Sequence, residues 1–339
     1  EIVGETMKTA ILGASGLVGR TMLRLLAERD WLSAPPRLLV SGRSAGAVLP
    51  FRDTELVCTE VGPESFADLD IVLFSAGGGP SRQWGPIAAA AGAQVVDNSS
   101  AWRMDAQTPL VVPEINGDLL QPVGADTAGG IVANPNCSTI QIAMAVAPLD
   151  RAFGVRETQV TTMQAVSGGG QAALAELKAQ NEGQAPGPGS LFPRPIAHNV
   201  LPAIGAREAD GSYEEEGKVG RELRKILGRG TDLQVSCTAT RVPVYNGHCA
   251  AVRVVCEKPV DREAACDTLA AWPGVVIARD PHEFATAQEM TGRHEVHVGR
   301  IRGEADNAHA LLMWVVADNL LKGAAWNAVQ IADCLAGQK

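Results

Sequence analysis

Short apolar strands alternate with helical segments through the first part of this 339-residue chain. The strands fall at residues 8–12, 37–40, 71–75, 94–96 and 131–133. Strands that are separated by helices are usually joined by crossovers, which make neighbouring strands parallel and cover the sheet with helices. The alternation therefore predicts an α/β domain built on a doubly wound parallel sheet.

A glycine-rich turn joins the first of these strands to the first helix. Its spacing, GxxGxxG, permits a tight turn, lets the backbone approach a pyrophosphate and lets the helix pack on the strand. Such turns also serve as plain connections between a strand and a helix. We interpret this one as a Rossmann-type dinucleotide site that ends at Gly19, with cofactor contacts from Gly13, Ala14, Ser15, Gly16, Leu17 and Val18.

The end of the second strand indicates which dinucleotide binds. NAD enzymes usually carry Asp or Glu there for the ribose 2′-hydroxyl. This chain has a cation flanked by hydroxyls instead, at Ser41, Arg43 and Ser44, which suits a 2′-phosphate. The alternative is that Arg43 is a solvated loop cation. The sequence predicts NADP.

The second half of the chain has a different pattern, with long β-rich runs at 157–166, 233–241, 248–256, 295–302 and 309–316. These runs predict a mixed or antiparallel sheet with helices against one face, in an α+β domain. Proline and glycine are concentrated at 184–213, which predicts a loop. A last helix is expected at 319–335.

Cys137 lies where an apolar strand, 130–133, is followed by a helix over 139–153. The unpaired N–H groups and the positive dipole end of such a helix stabilise a thiolate. An isolated cysteine at this place is more often a buried packing residue. The nucleotide site and one further motif favour a nucleophile.

That motif is Arg241-Val242-Pro243-Val244-Tyr245-Asn246-Gly247-His248, with an arginine at the end of one strand and a histidine at the start of the next. A histidine near a cysteine can take up and return a proton near neutral pH. An arginine offers a planar fork for a substrate carboxylate. Alone, His248 is more simply explained as a strand-end histidine, and sequence spacing does not show whether it lies near Cys137.

The chain resembles the aspartate-β-semialdehyde dehydrogenase family over nearly its whole length. The motifs that carry the resemblance occur in order at 13–19, 97–103, 112–116, 134–139, 164–168, 215–218, 241–248, 298–302 and 314–330. So many separate motifs in one order make chance similarity implausible.

The resemblance implies roles for residues around the reacting carbon. Cys137 is implied as the nucleophile and His248 as the general acid/base. Gln164 would position the substrate, Arg241 would hold its α-carboxylate, and Glu215 would face its α-amino group. Glu215 lies in an acidic, glycine-containing segment, so a solvated carboxylate is the alternative.

Further residues are implied in phosphate and cofactor binding. Arg103, Asn136 and Lys218 would bind phosphate, although Arg103 and Lys218 could be ordinary surface cations. Two departures from the usual family pattern occur. Residues 167–170 are Ser-Gly-Gly-Gly where many members have an alanine, and a glycine precedes Lys218 where a bulky residue is common. The additional cofactor contacts are expected at Ser167, Gly168 and Asn319.

The reaction implied is the NADP-dependent reduction of L-aspartyl-4-phosphate to the semialdehyde through a cysteine thioester, in the biosynthesis of lysine (through diaminopimelate), threonine, methionine and isoleucine. The resemblance also implies an NADP-binding domain at 7–136 with 318–339, a catalytic and dimerisation domain at 137–317, and a homodimer. The alternatives are a related N-acetyl-γ-glutamyl-phosphate reductase and a non-catalytic dinucleotide-binding paralogue, which would be expected to lack the nucleophile.

Composition fits a cytoplasmic enzyme that acts on a small molecule. A 46% hydrophobic content is enough for two cores, and a net charge of −9 disfavours nucleic acid or anionic membranes as partners. Seven cysteines, without CxxC pairs, suit a reducing compartment. Cys249 is expected to pack, and no metal is predicted because no histidine lies in a set with metal-ligand spacing. Residues 1–6 show no signal-peptide features.

Overall fold

The computed structural model describes residues 6–124 and 127–338, so most of the 1–6 segment lies outside the described residues. The chain forms two units, each with its own core. Unit 1 runs to Pro135 and resumes at Ala324, and unit 2 is Asn136–Gly323.

The chain contains the following strands and α-helices, which alternate as predicted in its first part. The strands are β1 Thr9–Leu12, β2 Arg37–Val40, β3 Val48–Phe51, β4 Thr54–Val57, β5 Thr59–Glu60, β6 Ile71–Phe74, β7 Gln94–Asp97, β8 Gly130–Ala133, β9 Val155–Gln164, β10 Gln234–Arg241, β11 His248–Cys256, β12 Val275–Ile277, β13 Val296–Glu304 and β14 Asn307–Ala317. The helices are α1 Leu17–Leu26, α2 Gly78–Ala90, α3 Pro113–Asn116, α4 Cys137–Phe153, α5 Gly170–Asn181, α6 Glu214–Ile226, α7 Arg262–Ala270, α8 Ala287–Met290 and α9 Trp326–Leu335.

Unit 1 contains a six-stranded sheet in the order β5-β2-β1-β6-β7-β8. All of its neighbouring strands are parallel. The central strands β1 and β6 are buried at every position, as apolar strands covered on both faces must be. This confirms the doubly wound sheet. The hairpin of β3 and β4 was not predicted.

Unit 2 contains a mixed six-stranded sheet in the order β10-β9-β11-β14-β13-β12. The outer pairs β10/β9 and β12/β13 are parallel, and the three inner pairs are antiparallel. Helix α4 packs against β9, β11, β13 and β14, and its residues from Ser138 to Leu149 are all buried. The prediction of a mixed sheet covered by helices is confirmed.

Two other predicted segments differ in detail from the structure. Between α5 and α6, residues 184–213 contain no helix or strand, as expected. The last helix, expected from residue 319, is preceded by a π-helical turn at Leu321–Ala325 and becomes α-helical at Trp326. Within the described chain, no helix is long and apolar enough to cross a bilayer.

Candidate active site

Cys137 is the first residue of α4, so the helix begins two residues earlier than predicted. The residue before it, Asn136, is the N-cap, and its side-chain oxygen accepts hydrogen bonds from the N–H groups of Ser138 at 2.9 Å and Thr139 at 3.3 Å. Cys137 itself is partly exposed, whereas its neighbours on both sides are buried. Cys137 is therefore partly exposed at the positive end of a buried helix dipole.

Gly323 packs directly against Cys137. A Cβ built at Gly323 would lie 3.0 Å from the Cβ of Cys137 and 3.3 Å from its Cα. Both distances are tighter than ordinary van der Waals contact, so a side chain here would displace Cys137. Sequence reasoning missed this residue.

Glu215 joins three of the predicted site residues. It lies in the first turn of α6 and is buried, with 6% of its surface exposed. Its Oε1 accepts hydrogen bonds from Asn136 Nδ2 at 2.8 Å and Gln164 Nε2 at 3.1 Å. Its Oε2 lies 3.5 Å from Lys218 Nζ. The solvated alternative for Glu215 therefore does not hold.

Lys218 is held between two carboxylates. Its Nζ lies 2.9 Å from Glu214 Oε1, one helical turn earlier, as well as near Glu215. The hydrogen bond from Lys218 holds the pKa of the Glu214 carboxyl below its usual value. Its charge is thus largely balanced, and its side chain is only 19% exposed.

Glu222 is a second buried carboxylate on α6 that sequence reasoning missed. Its Oε2 accepts a hydrogen bond from the backbone N–H of Asn136 at 2.6 Å. Glu215 and Glu222 are seven residues apart, which places both on one face of the helix. Together they fix the side chain and the backbone of the residue that precedes Cys137.

Arg241 ends β10 and is buried. Its Nη1 donates a hydrogen bond to the carbonyl oxygen of Ala165 at 2.8 Å. Burial lowers the pKa of the guanidinium, while the charges of Cys137 and Glu215 act in the opposite direction. The guanidinium is therefore held by the backbone after β9, and its pKa responds to charge on Cys137 and Glu215.

His248 begins β11 and is fully buried. Its Nδ1 accepts a hydrogen bond from the backbone N–H of Ala165 at 3.0 Å. Burial and the positive charge of Arg241 hold the pKa of the imidazole well below 6.5, with a smaller opposing effect from the Gly247 carbonyl. The ring is therefore neutral at physiological pH.

Ser167, Gly168 and Asn319, predicted as cofactor contacts, lie near this histidine in unit 2. The Oδ1 of buried Asn319 accepts from the N–H of Gly247 at 2.9 Å, and its Nδ2 donates to Ser167 Oγ at 2.9 Å. These bonds tie the turn before His248 to the turn after β9. Neither Ser167 nor Asn319 has more than 3% of its surface exposed.

In unit 1, the glycine turn before α1 has the geometry predicted for a pyrophosphate site. Gly13 has φ +86°, and a Cβ there would lie 2.4 Å from the Ser75 carbonyl oxygen. A Cβ at Gly19 would lie 2.2 Å from the Gly13 carbonyl oxygen. Helix α1 can therefore lie this close to the turn only because residue 19 is glycine. The N-cap, Gly16, is exposed and provides no side-chain cap, which leaves the first-turn N–H groups for an anion. These residues fit a dinucleotide phosphate.

Arg43 lies on a 3-10 turn after β2 and is exposed, as are Ser41 and Gly42. It forms no hydrogen bond or ion pair with any other residue that the structure describes. A carboxylate that the sequence did not reveal lies nearby, because β5 pairs with β2 and places Glu60 opposite Val40. A Cβ at Gly42 would lie 2.7 Å from Glu60 Oε1.

Arg103 also belongs to unit 1 and is buried, so it is not an ordinary surface cation. Its Nε donates to the Asn134 carbonyl oxygen at 2.9 Å, and its Nη2 donates to the Asn98 carbonyl oxygen at 3.2 Å. Both acceptors follow strands, β7 and β8, at the carboxyl edge of the parallel sheet. This is the edge where open α/β sheets bind ligands.

Comparison with known proteins agrees with this arrangement. Residues 8–122 match a family model described as semialdehyde dehydrogenase, NAD binding domain, and residues 146–322 match semialdehyde dehydrogenase, dimerisation domain. The aspartate-semialdehyde dehydrogenase of Aquifex aeolicus is 44% identical over 335 residues, with 97% of both chains covered. The chain belongs to the aspartate-semialdehyde dehydrogenase family. This confirms the resemblance seen in the sequence.

Two more members of the aspartate-semialdehyde dehydrogenase family illustrate the match. The Bacillus subtilis protein is 41% identical, with 98% of each chain covered. A crystal structure of aspartate semialdehyde dehydrogenase II from Vibrio cholerae, described as complexed with ASA, superposes with a TM-score of 0.91 at 38% identity. The superposition covers 98% of this chain and 99% of that one.

In this family member, Gly168 leaves space in front of two site residues. A Cβ built there would lie 2.8 Å from Arg241 Nη1 and 3.3 Å from His248 Nε2. We expect Gly168→Ala to raise the KM for the aldehyde substrate at least about tenfold, because the methyl displaces a fixed guanidinium by a few tenths of an ångström or more. Steady-state kinetics with aldehyde and nicotinamide cofactor varied separately measures this.

Gly187→Ala is the matched control for that substitution. Its Cβ would meet no atom within 4 Å, so its kinetics should equal those of the wild type. If Gly168→Ala leaves the aldehyde KM unchanged, the space in front of Arg241 and His248 is not used by the substrate.

Proposed function

We propose that this protein is an NADP-dependent aspartate-semialdehyde dehydrogenase that reduces L-aspartyl-4-phosphate to L-aspartate-4-semialdehyde through a thioester on Cys137. The observation that carries the proposal is the position of Cys137, which is partly exposed at the start of α4 and whose charge acts on the buried guanidinium of Arg241. The products would enter the biosynthesis of lysine, threonine, methionine and isoleucine.

The chemistry needs a nucleophile that displaces phosphate and leaves an activated acyl group, and a thiolate does this by forming a thioester. The first-turn N–H groups of α4 stabilise negative charge on sulfur and on the reacting oxygen. Gln164 has a fixed amide, since its Oε1 accepts from Thr162 Oγ1 at 3.1 Å and its Nε2 donates to Glu215. Gln164 would orient the acyl group. His248 would protonate and deprotonate the oxygens on the reacting carbon.

The substrate's charged groups would be bound by residues of opposite charge. Arg241 would hold the α-carboxylate and Glu215 would face the α-amino group. Arg103, Asn136 and Lys218 would bind the phosphate. Asn136 already uses its amide oxygen as the helix N-cap and one amide hydrogen for Glu215, so it would contribute its second amide hydrogen.

A nicotinamide dinucleotide supplies the hydride when it is bound. Gly13 to Val18 would hold its pyrophosphate, Ser41, Arg43 and Ser44 its 2′-phosphate, and Ser167, Gly168 and Asn319 would add further contacts. The exposed position of Arg43 supports the preference for NADP, and the nearby carboxylate of Glu60 opposes it. The balance between these two charges can be measured.

We expect Arg43→Ala to raise the KM for NADP by about tenfold or more and to leave the KM for NAD almost unchanged, because only NADP carries the extra phosphate. Glu60→Gln should have the opposite effect and lower the KM for NADP, because it removes a negative charge that repels the 2′-phosphate. Initial rates with each cofactor at saturating aldehyde measure both effects. Equal changes for NAD and NADP in Arg43→Ala, or a native preference for NAD, would remove Arg43 from this role.

The experiment that tests the proposed function is reduction of NADP in the presence of phosphate with two aldehydes, aspartate semialdehyde and N-acetylglutamate semialdehyde. Aspartate semialdehyde carries a free ammonium that a buried carboxylate attracts, whereas the acetylated compound carries a neutral amide. We expect turnover of the first and none of the second. Turnover of the second alone would indicate the related acyl-phosphate reductase, and no turnover of either would indicate a non-catalytic paralogue.

Glu215→Gln refines the same test. Because Glu215 Oε1 accepts both the Asn136 and the Gln164 hydrogen bonds, glutamine can keep them, but it removes the charge and puts an amide NH2 in place of the oxygen near Lys218 Nζ. We expect a loss of about 10-fold to 100-fold in kcat/KM for aspartate semialdehyde, with no gain for the acetylated aldehyde. Unchanged kinetics would show that Glu215 does not face the ammonium.

Three further assignments remain proposals. We assign NADP binding to residues 7–136 with 318–339, and catalysis and dimerisation to 137–317. The match to a dimerisation-domain model supports a homodimer, which analytical ultracentrifugation can test. The cytoplasmic location expected from the sequence also stays a prediction.

A further inference from the structure

Glu222 is a buried carboxylate in the second half of α6, with 2% of its surface exposed. The helix dipole favours acidic residues in the first turn, where Glu214, Glu215 and Glu216 lie, and it does not stabilise a carboxylate further along. Burial of a charged group also costs free energy unless the group is paired. A carboxylate at this position is therefore explained by its contacts and not by the helix that carries it.

Glu222 contacts the backbone at the start of α4. Its Oε2 accepts a hydrogen bond from the N–H of Asn136 at 2.6 Å. Asn136 in turn caps the helix, because its side-chain oxygen accepts the N–H groups of Ser138 and Thr139. A helix has no partners of its own for the N–H groups of its first turn. Glu222 and Asn136 together bind such groups on both sides of Cys137, so the position of Cys137 depends on the carboxylate of Glu222.

The negative charge of Glu222 also lies close to the thiol. Its Oε2 is 2.6 Å from the nitrogen of Asn136, and one residue of chain spans ~3.8 Å, so the carboxylate and the Sγ of Cys137 are within about 10 Å of each other. At such a separation inside a protein, two unit charges shift ionisation by on the order of one pH unit. A thiolate on Cys137 is therefore destabilised by Glu222, whereas the start of α4 and the charge of Arg241 stabilise it.

Other charged and titratable groups of this site come from α6, β10, β11 and the π-helical turn before α9. They are Glu214, Glu215, Lys218, Arg241, His248 and the buried Lys322. His248 is uncharged at neutral pH, because burial holds the pKa of its imidazole well below 6.5. All of these groups are retained in a variant that changes Glu222 alone, so a change in thiolate formation in that variant reports the charge of Glu222.

We propose that Glu222 is a positioning residue for Cys137. Its carboxylate holds the backbone of Asn136, and with it the start of α4, in the conformation that the reaction uses, and its negative charge opposes that of the thiolate. The role rests on the proposed function, because the reaction is the attack of Cys137 on an acyl phosphate. Glu222 acts through Asn136 and Cys137 and does not touch the substrate.

A charge that opposes the thiolate has a chemical use. The nucleophilicity of a thiolate falls as the thiolate becomes more stable, so the best nucleophile is one that ionises near the working pH. The start of α4 and Arg241 both stabilise the thiolate of Cys137. Glu222 limits this stabilisation while it fixes the backbone. A neutral side chain could accept the same N–H of Asn136, but it would not supply the charge.

Two substitutions of Glu222 separate the hydrogen bond from the charge. Glu222→Gln keeps an oxygen that can accept the N–H of Asn136 and removes the charge. Glu222→Asp keeps the charge and draws the acceptor back by one methylene. Glu216→Gln is the matched control, because Glu216 lies on the same helix and accepts the backbone N–H groups of Tyr213 at 2.8 Å and Ala239 at 3.1 Å, which are not part of α4.

Alkylation of Cys137 by iodoacetamide at a series of pH values measures thiolate formation without any turnover. Mass spectrometry of the peptide that contains Cys137 separates its reaction from that of the other cysteines. We expect the midpoint in Glu222→Gln to lie about one pH unit below that of the wild type, because the thiolate loses a neighbouring negative charge. Glu222→Asp and Glu216→Gln should keep the wild-type midpoint. A midpoint in Glu222→Gln at or above the wild-type pH would overturn the proposal.

Steady-state kinetics with aspartate semialdehyde test the hydrogen bond. We expect Glu222→Asp to lose about 10- to 100-fold in kcat with the KM for the cofactor unchanged, because a misplacement of the reacting group by ~1 Å costs up to about 10²-fold. Glu222→Gln, which keeps the acceptor, should retain at least about three times the kcat of Glu222→Asp. A wild-type kcat in Glu222→Asp would contradict the positioning role.

Thermal melting curves establish that each variant is folded under the assay conditions. If Glu222→Asp does not fold, the alkylation midpoint of Glu222→Gln decides the proposal. If the wild type oxidises neither aspartate semialdehyde nor N-acetylglutamate semialdehyde, the proposed function fails, while the alkylation midpoints still decide whether Glu222 acts on Cys137.

Discussion

Replacing Cys137 with serine is expected to lower kcat by on the order of 10³-fold or more while NADP binding is retained. The substitution keeps the shape of the side chain, so the start of α4 and its contact with Gly323 should be preserved. A hydroxyl ionises at far higher pH than a thiol and cannot form the thioester. Initial rates of NADP reduction and a fluorescence titration with NADPH measure the two quantities separately.

Cys334→Ser is the control for that experiment. Cys334 is partly exposed like Cys137, but it lies on α9 in unit 1. We expect wild-type kinetics from this variant. If Cys137→Ser keeps more than about a tenth of the wild-type activity, Cys137 is not the nucleophile.

Replacing Arg241 with alanine is expected to produce the second-largest effect. Loss of one partner of a buried, hydrogen-bonded charge pair costs ~2–5 kcal/mol, which corresponds to about 30- to 5,000-fold in kcat/KM for aspartate semialdehyde. Lysine at this position should recover little, because it lacks the planar fork that fits a carboxylate. The KM for phosphate should change little.

Arg103→Ala is the matched comparison, because Arg103 is also buried and also donates hydrogen bonds to backbone carbonyl oxygens. It should chiefly weaken phosphate and leave the aldehyde KM near the wild-type value. The opposite pattern in the two variants would exchange the roles of the two arginines. Thermal melting curves of both variants establish whether either loss reflects unfolding instead.

Features of the fold that depend on local pattern were predicted from the sequence. The buried strands β1, β2, β6, β7 and β8 are short apolar runs, so composition alone locates them within a residue or two. The hairpin of β3 and β4 was missed because Pro50 interrupts the apolar residues of β3, and β4 has no buried position. Strand β12 was also missed, because it has three residues, of which only Val275 is buried.

Some residues of the candidate site could likewise be predicted from local pattern, and others could not. Cys137, Arg241 and His248 stand at ends of strands or helices, where the sequence itself marks the change of structure. Glu222 and Gly323 carry no such mark. Glu222 matters through a hydrogen bond to a residue 86 positions away, and Gly323 through its contact with Cys137. A single sequence does not show pairings of this kind.

The sequence also left the environment of Glu215 open. Its segment reads as acidic and solvated, because three glutamates follow one another at 214–216. The structure places them in the first turn of α6, where acidic residues are favoured by the helix dipole, and buries only the middle one. Helical geometry, which separates neighbours by about 100°, selects which carboxylate faces the site.

Mass spectrometry can detect the acyl group that Cys137 is proposed to carry during the reaction. The enzyme is mixed with aspartate semialdehyde and NADP without phosphate, quenched in acid and digested. We expect the peptide containing Cys137 to gain the mass of an aspartyl group as a thioester, and added phosphate to remove this group before the quench. NADP reduction with no acyl group on Cys137, or with the group on another residue, would contradict this expectation.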